Sequence, residues 1–264
     1  MTPKERDFVA GLCATRAGLD IETERGFLVE SRLGAIARRE GFASVSDLIR
    51  AVRDRGEERL VWAVVESLAP ATCGFFGDPP VLESLADDLA ARSAAGAPVR
   101  VWSAACGAGQ EIYSLAMLLE ERGVRAVELF ASDLSQRQVE KAQTGIYSSL
   151  EVQQGLSAGR LVRHFENADD GFRVAETVRR RIRWRRMNLM DIPAGVSAFD
   201  LILCRHVLDA LLAPARVRVL AHLSEALRPE GRLVLGASES APELAAIPGR
   251  AGVFEAVVGV ARAA

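Results

Sequence analysis

"VRVWSAACGAGQEIYSLAM", Val99 to Met117, sets two glycines one residue apart between two apolar runs. "VRVWSAA" reads as a strand, and the segment after Gly109 reads as a helix. The alternation continues downstream. "VELFAS" (Val127–Ser132) is a strand and "SQRQVEKAQ" (Ser135–Gln143) a helix. "RIRWRRMNL", "FDLILCR", "ARVRVLAHLSEAL" and "GRLVLGASES" extend the pattern, and "GVFEAVVGVARA" (Gly252–Ala263) reads as a last strand. Such alternation predicts an α/β fold, a parallel sheet with helices on both faces. These sheets bind ligands beyond the carboxyl ends of their strands, at the switch in strand order. Gly107, Gly109 and Glu111 therefore stand where a ligand would approach.

Glycines at the end of a first strand let the backbone come close to a ligand and turn amides toward it. A dinucleotide fold wants a third glycine at position 112, where this chain has Ile112, and a P-loop wants G-K-S/T, which the stretch lacks. Asp133 closes the second strand, a place from which a carboxylate accepts hydrogen bonds from ribose hydroxyls. Two glycines and two acids suit a ligand with a sugar and a cationic end but no phosphate. S-adenosylmethionine is such a ligand, with Glu111 facing its tail ammonium. The same residues also suit a plainer role, in which Gly107 and Gly109 make a tight turn and Glu111 caps the helix.

Residues 1–68 have another texture, helical and poor in β-branched density. "FLVESRLGAIARREG" (Phe27–Gly41) puts Leu28, Leu33 and Ile36 near one face, with Gly41 as the helix C-cap. "SVSDLIRAVRDRGEERLVWAVVESL" (Ser44–Leu68) follows, with Ser46 as the expected N-cap. "APATCGFFGDPP" (Ala69–Pro80) breaks the pattern with prolines and glycines and reads as a domain junction. The expected division is a helical domain over 1–68, a linker and connecting helix over 69–98, and an α/β domain over 99–264.

Composition narrows the function classes. The chain has 264 residues, 49% apolar and 26% charged, with a formal net charge of −2. That balance gives no basis for nucleic acid or an anionic membrane as obligatory partner. Cys13, Cys73, Cys106 and Cys204 form no C-x-x-C, which points to a reducing compartment. His164, His206 and His222 have no metal-ligand spacing, so no metal site is expected. No apolar run reaches the ~18 residues of a membrane span. The expectation is a cytoplasmic protein without membrane insertion.

"RVWSAACGAGQEIYSLAM" resembles the cofactor motif of the chemotaxis-receptor glutamate O-methyltransferases, the CheR-type family. "ESRLGAIARREGFASVSDLI" resembles their N-terminal helical domain, and "ASDLSQRQVEKAQTGIY" their second strand and helix. "GLSAGRLVRHFENADDGFRVAETVRRRIRWRRMNLMD" is similar to their inserted β-subdomain, about 148–178 here, and third strand. "FDLILCRHVL" and "LRPEGRLVLGASES" match the fourth and fifth strands. The resemblance implies a Rossmann-like class I methyltransferase sheet with a small N-terminal all-α domain. It implies S-adenosylmethionine as cofactor, held by Ala105, Gly107, Gly109, Glu111, Asp133, the Asn188–Leu189 pair beside adenine, and Cys204. It also reads "RRRIRWRR" (Arg179–Arg186) as a sheet strand, where the residues alone admit a nucleic-acid patch with Trp184 as a stacking platform. The implied chemistry is methyl transfer to a carboxylate, which needs alignment more than a base.

The acceptor side departs from the family. Phe75 and Phe76 are followed by Gly77 in place of arginine, and Ala71 and Cys73 replace asparagine and threonine. After the fourth strand, His206 replaces the asparagine of "CRN" and Ala210 falls where the family has tyrosine. His206 is the candidate catalytic group near the methyl, or a structural histidine at a strand end. Three functions stay open: an active protein-carboxyl methyltransferase, a weak or inactive cofactor-binding paralogue, or a methyltransferase on another acceptor, a small molecule or RNA, with the near-neutral charge counting against RNA. The implied partner is a chemoreceptor cytoplasmic region or another signalling protein. The helical domain is expected against the cofactor mouth, covering Phe75 and Phe76.

Overall fold

The computed structural model describes residues 1–21, 26–70, 74–96 and 98–255. Ala71, Cys73 and the chain after Glu255, including most of the expected last strand, lie outside the described residues. Four helices come first: α1 (Pro3–Ala17), α2 (Gly26–Arg39), α3 (Val45–Arg55) and α4 (Glu58–Leu68). A capping box between Thr2 and Glu5 starts α1. The segment after Ser44 is two helices, divided at Gly56, which takes the left-handed conformation that closes α3. The N-cap of α3 is Ser44 and not Ser46. Ser44 Oγ accepts from the Asp47 N–H at 3.1 Å, and its own hydroxyl donates to the Asp47 carboxylate. Val9, Cys13, Val29, Leu33, Leu48, Val52, Leu60 and Val64 are buried between the four helices.

Helix α5 (Pro79–Ala94) then leads to β1 (Val99–Ala104), α6 (Gln110–Glu121), β2 (Val127–Asp133) and α7 (Gln136–Thr144). A small unit follows, made of β3 (Ile146–Tyr147), α8 (Ser149–Gln153), α9 (Ala158–His164), β4 (Phe165–Ala168), β5 (Gly171–Val174) and α10 (Glu176–Arg179). The chain returns through β6 (Ile182–Arg186), β7 (Phe199–Leu203), α11 (Ala213–Ala226), β8 (Leu227–Val234), β9 (Ala245–Ala246) and β10 (Val253–Glu255). The main sheet runs β6-β2-β1-β7-β8-β10-β9, and its first five strands are parallel. Strand order reverses between β1 and β7, which fixes the crevice at the ends of those two strands. Helix α6 is buried almost all round, with Ile112, Tyr113, Leu115 and Leu119 inaccessible, because the sheet covers one side and α5 the other.

The basic segment is β6, the edge strand. Ile182 is buried and Trp184 half-buried, while Arg183 and Arg185 are exposed. Alternation along a strand puts them on opposite faces, and arginines on an open edge discourage pairing with another chain. The small unit forms a three-stranded antiparallel sheet, β3-β5-β4, beginning at Ile146.

Phe75 and Phe76 are buried, but the helical bundle is not what covers them. Phe75 packs edge-on against Tyr147 at 4.9 Å and Phe165 at 5.5 Å, both from the small unit. The Arg160 guanidinium lies over the Phe76 ring at 4.3 Å. The bundle instead meets the loop that follows β7. Leu19 forms a β-bridge with Leu211, the Leu212 N–H donates to Gly18 O at 2.9 Å, and the Asp20 N–H donates to Ala210 O at 2.9 Å. The apolar core of the bundle runs on into one face of the sheet, through Trp102, Phe199 and Leu223.

Candidate active site

The ends of β1 and β2 lie side by side, with Ala104 paired to Ser132. The Cys106 N–H donates to Ser132 O at 2.9 Å, so the glycine loop starts by bending over β2. The Gly107 N–H donates to Asp133 Oδ2 and the Ser135 N–H to Asp133 Oδ1, both at 2.8 Å. Burial raises the Asp133 carboxyl above the ordinary carboxylate range; the two amides act the other way, and the charge of Glu66 adds to the rise. Each oxygen keeps a lone pair for a further donor.

The two glycines serve different needs. Gly107 takes a positive φ of 54° and brings its amide to Asp133. Gly109 has φ 88°, and a Cβ there would stand 2.7 Å from Trp184 Cη2 and 3.0 Å from Ala142 Cβ. Its bareness lets β6 and α7 pack on the loop. Its N–H goes to Cys106 O at 2.9 Å. The loop thus offers a ligand close backbone but no free amide from either glycine.

Ala105, Asp133, Leu134, Asn188, Leu189 and Leu19 line a cavity of about 50 Å³ at this corner. That is room for roughly one or two waters. Asp133, Ala69 and Pro70 also border a cleft of about 1160 Å³ between α2, α4 and α7, so the two spaces share a wall. Asn188 is already engaged: its Nδ2 donates to Arg16 O at 2.7 Å, and its Oδ1 accepts from the Met190 N–H at 3.0 Å. One carboxylate and apolar walls suit a ribose and a purine.

Sequence reasoning missed the residue that faces Glu111. Arg205, directly after Cys204, donates from Nη1 to Glu111 Oε1 at 2.7 Å and from Nη2 to Asp78 Oδ2 at 3.0 Å. Glu111 is therefore half of a charge pair, not the lone carboxylate the motif implied. Arg205 Nε and Gln110 Oε1 are buried with no partner among the described residues. One is a donor and one an acceptor, the two kinds of group that a zwitterionic amino acid tail would engage. The signal is in the quoted "FDLILCRHVL", where Cys204 before the arginine and His206 after it are the residues singled out.

Cys204 is fully buried at the end of β7 and does not line the cavity. Burial, with Glu239 and Glu111 near, pushes its thiol up, so it stays neutral. His206 is exposed, adopts a φ of 63° and lies against Gly236 rather than in the cavity lining. Its unusual backbone is held by Glu239, a second residue the sequence did not mark. Glu239 is buried and accepts from the N–H groups of His206 at 2.8 Å, Leu208 at 2.7 Å and Gly236 at 2.6 Å. Three amides around one carboxylate fix the turn after β7.

Residues 72–248 match the family model described as CheR methyltransferase, SAM binding domain. The chain is 36% identical over 243 residues to a chemotaxis protein methyltransferase of Vibrio parahaemolyticus, covering 89% of this chain and 88% of that protein. It is 32% identical over 235 residues to chemotaxis protein methyltransferase 1 of Pseudomonas aeruginosa, covering 84% and 85%. It is 30% identical over 236 residues to the probable biofilm formation methyltransferase WspC of the same organism, covering 87% of this chain and 55% of that protein. The chain belongs to the CheR family of S-adenosylmethionine-dependent methyltransferases.

Proposed function

We propose that this chain holds S-adenosylmethionine across the ends of β1, β2, β6 and β7 and methylates a carboxylate on a signalling receptor, slowly on an ordinary receptor glutamate. The observation that carries the cofactor reading is the buried Asp133 carboxylate, built by the amides of Gly107 and Ser135 at the mouth of the cavity. Ala105 and Leu134 flank the ribose, Asn188 and Leu189 stand beside adenine, and Glu111 with Arg205 takes the amino acid tail. Gly109 and Cys204 act from behind, by packing. When bound, the cofactor supplies a methyl carbon that takes a carboxylate oxygen while the carbon–sulfur pair leaves to sulfur, giving a methyl ester and S-adenosylhomocysteine.

The chain's own contribution to the acceptor is small. Gly77 and Ala210 stand where the family carries an arginine and a tyrosine, and a carboxylate entering between them loses water and gains little. Removing one preorganised donor typically lowers the rate ~10²–10³-fold, and the two losses are coupled because both act on one group. His206, on the loop fixed by Glu239, is the remaining polar candidate near the methyl. Space for repair exists: among the described residues a Cβ at Gly77 meets only Gly74 O, at 3.9 Å. The test is methyl transfer from radiolabelled cofactor to a receptor cytoplasmic fragment. The double change Gly77→Arg, Ala210→Tyr should raise glutamate methylation above wild type. A wild type already as fast as an enzyme carrying both groups would sink the proposal. No described helix is long and apolar enough to cross a membrane.

A further inference from the structure

Glu66 stands on the last turn of α4, where its charge opposes the negative end of its own helix. It is held there by what it meets across the cleft. Its Oε2 accepts from the Gln136 N–H, at the positive end of α7, at 3.2 Å. Its Oε1 lies 2.9 Å from Arg186 Nη2. Arg186 in turn donates from Nε to Leu134 O at 3.2 Å and lies over the Trp62 ring of α4 at 5.0 Å. The three residues after Asp133 are thus each held by a different side chain: Leu134 by Arg186, Ser135 by Asp133, and Gln136 by Glu66.

We infer that Glu66 and Arg186 form a positioning pair that sets the ribose-facing turn Asp133–Gln136, so that a helix of the N-terminal bundle tunes a cofactor corner built by the sheet. The inference rests on the cofactor reading above. It has an electrostatic consequence as well as a geometric one. Asp133 must be ionised to accept two ribose hydroxyls. Burial raises its carboxyl, and the neighbouring charge of Glu66 raises it further. Burial likewise raises Glu66, against the pull of Arg186 and, more weakly, Arg39 of α2. Arg59 of α4 and Arg137, Glu140 and Lys141 of α7 line the same cleft. Of these groups, only Glu66 and Arg186 hold the turn itself.

The test is the affinity for S-adenosylmethionine, by calorimetry from about pH 4.5 to about pH 8, for wild type, Glu66→Gln and Arg186→Gln. Wild-type binding weakens toward acid as Asp133 takes up its proton. Glu66→Gln removes a like charge, so its acid limb moves down; Arg186→Gln leaves Glu66 uncompensated, so its limb moves up. Thermal unfolding at neutral pH establishes that each variant is folded, and either variant alone decides the sign. Limbs that stay in place with affinity unchanged at every pH would overturn the inference. So would limbs that move in the same direction. A wild type that binds no S-adenosylmethionine at any pH would overturn the cofactor reading itself, and this inference with it.

Discussion

Replacing Gly109 by alanine tests the claim that the second glycine of the loop is bare for packing. The backbone there has φ 88°, and the new methyl would stand 2.7 Å from Trp184 Cη2 and 3.0 Å from Ala142 Cβ. A left-handed backbone costs an L-residue about 1–2 kcal/mol. Overpacking a filled site costs a further 1–3 kcal/mol or so. Gly109→Ala should therefore lose about 2–5 kcal/mol of stability, read as a fall in the urea midpoint at unchanged slope. Trimming the opposing ring with Trp184→Phe removes one source of the clash. The double variant should be more stable than the sum of the two single losses implies, because residues in contact couple. Strict additivity in that cycle would refute the packing account. So would a Gly109→Ala protein of wild-type stability that has lost affinity for S-adenosylmethionine, which would mark the glycine as a ligand contact.

Arg205→Met should lower affinity for S-adenosylmethionine at least about tenfold, the scale of one charge-assisted contact. Arg205→Lys should not restore it, since one ammonium cannot span Glu111 and Asp78 as the guanidinium fork does. Acid unfolding should follow the ion pairs around α5 and α6. Burial raises the carboxyls of Glu83, Asp88 and Glu121, but their arginine partners outweigh it and hold all three below the ordinary range. Their contribution is complete above about pH 4.5 and is lost as pH falls through the depressed folded values. Arg160 pairs with both Glu83 and Glu121. Arg160→Met should then be less stable than wild type at neutral pH and converge with it as pH falls through those depressed values. Parallel urea-midpoint curves down to acid would refute that assignment.

Much of this architecture was legible because it is written in periods and breakers. The glycine pair, the apolar strand before it and the alternation after it specified the parallel sheet, and Asp133 fell at a strand end by the same pattern. Charge partners are not written that way. Arg205 and Asp78 lie 127 positions apart and meet only because the crevice brings the end of β7 to the start of α5. Glu239 reads as one acid in "GASESAPE", and its three amide contacts depend on how two strand ends approach. Two large rings in "GFFG" read as needing cover, and both are buried. Which element covers them depends on where the inserted sheet folds back, and nothing local to "GFFG" records that. The helix N-cap moved from Ser46 to Ser44 because both serines fit the pattern and only Ser44 has Asp47 three residues on.

The most direct measurement is a calorimetric titration of S-adenosylmethionine into the wild-type protein and into Asp133→Asn. The asparagine keeps the shape and one acceptor oxygen, but it presents an amino group to the amide of Gly107 or Ser135 and has no charge to offer a ribose. Wild type should bind, and the variant should lose about 1–3 kcal/mol, roughly 5- to 150-fold in affinity. Equal affinity in the two proteins would remove Asp133 from the site and contradict the account.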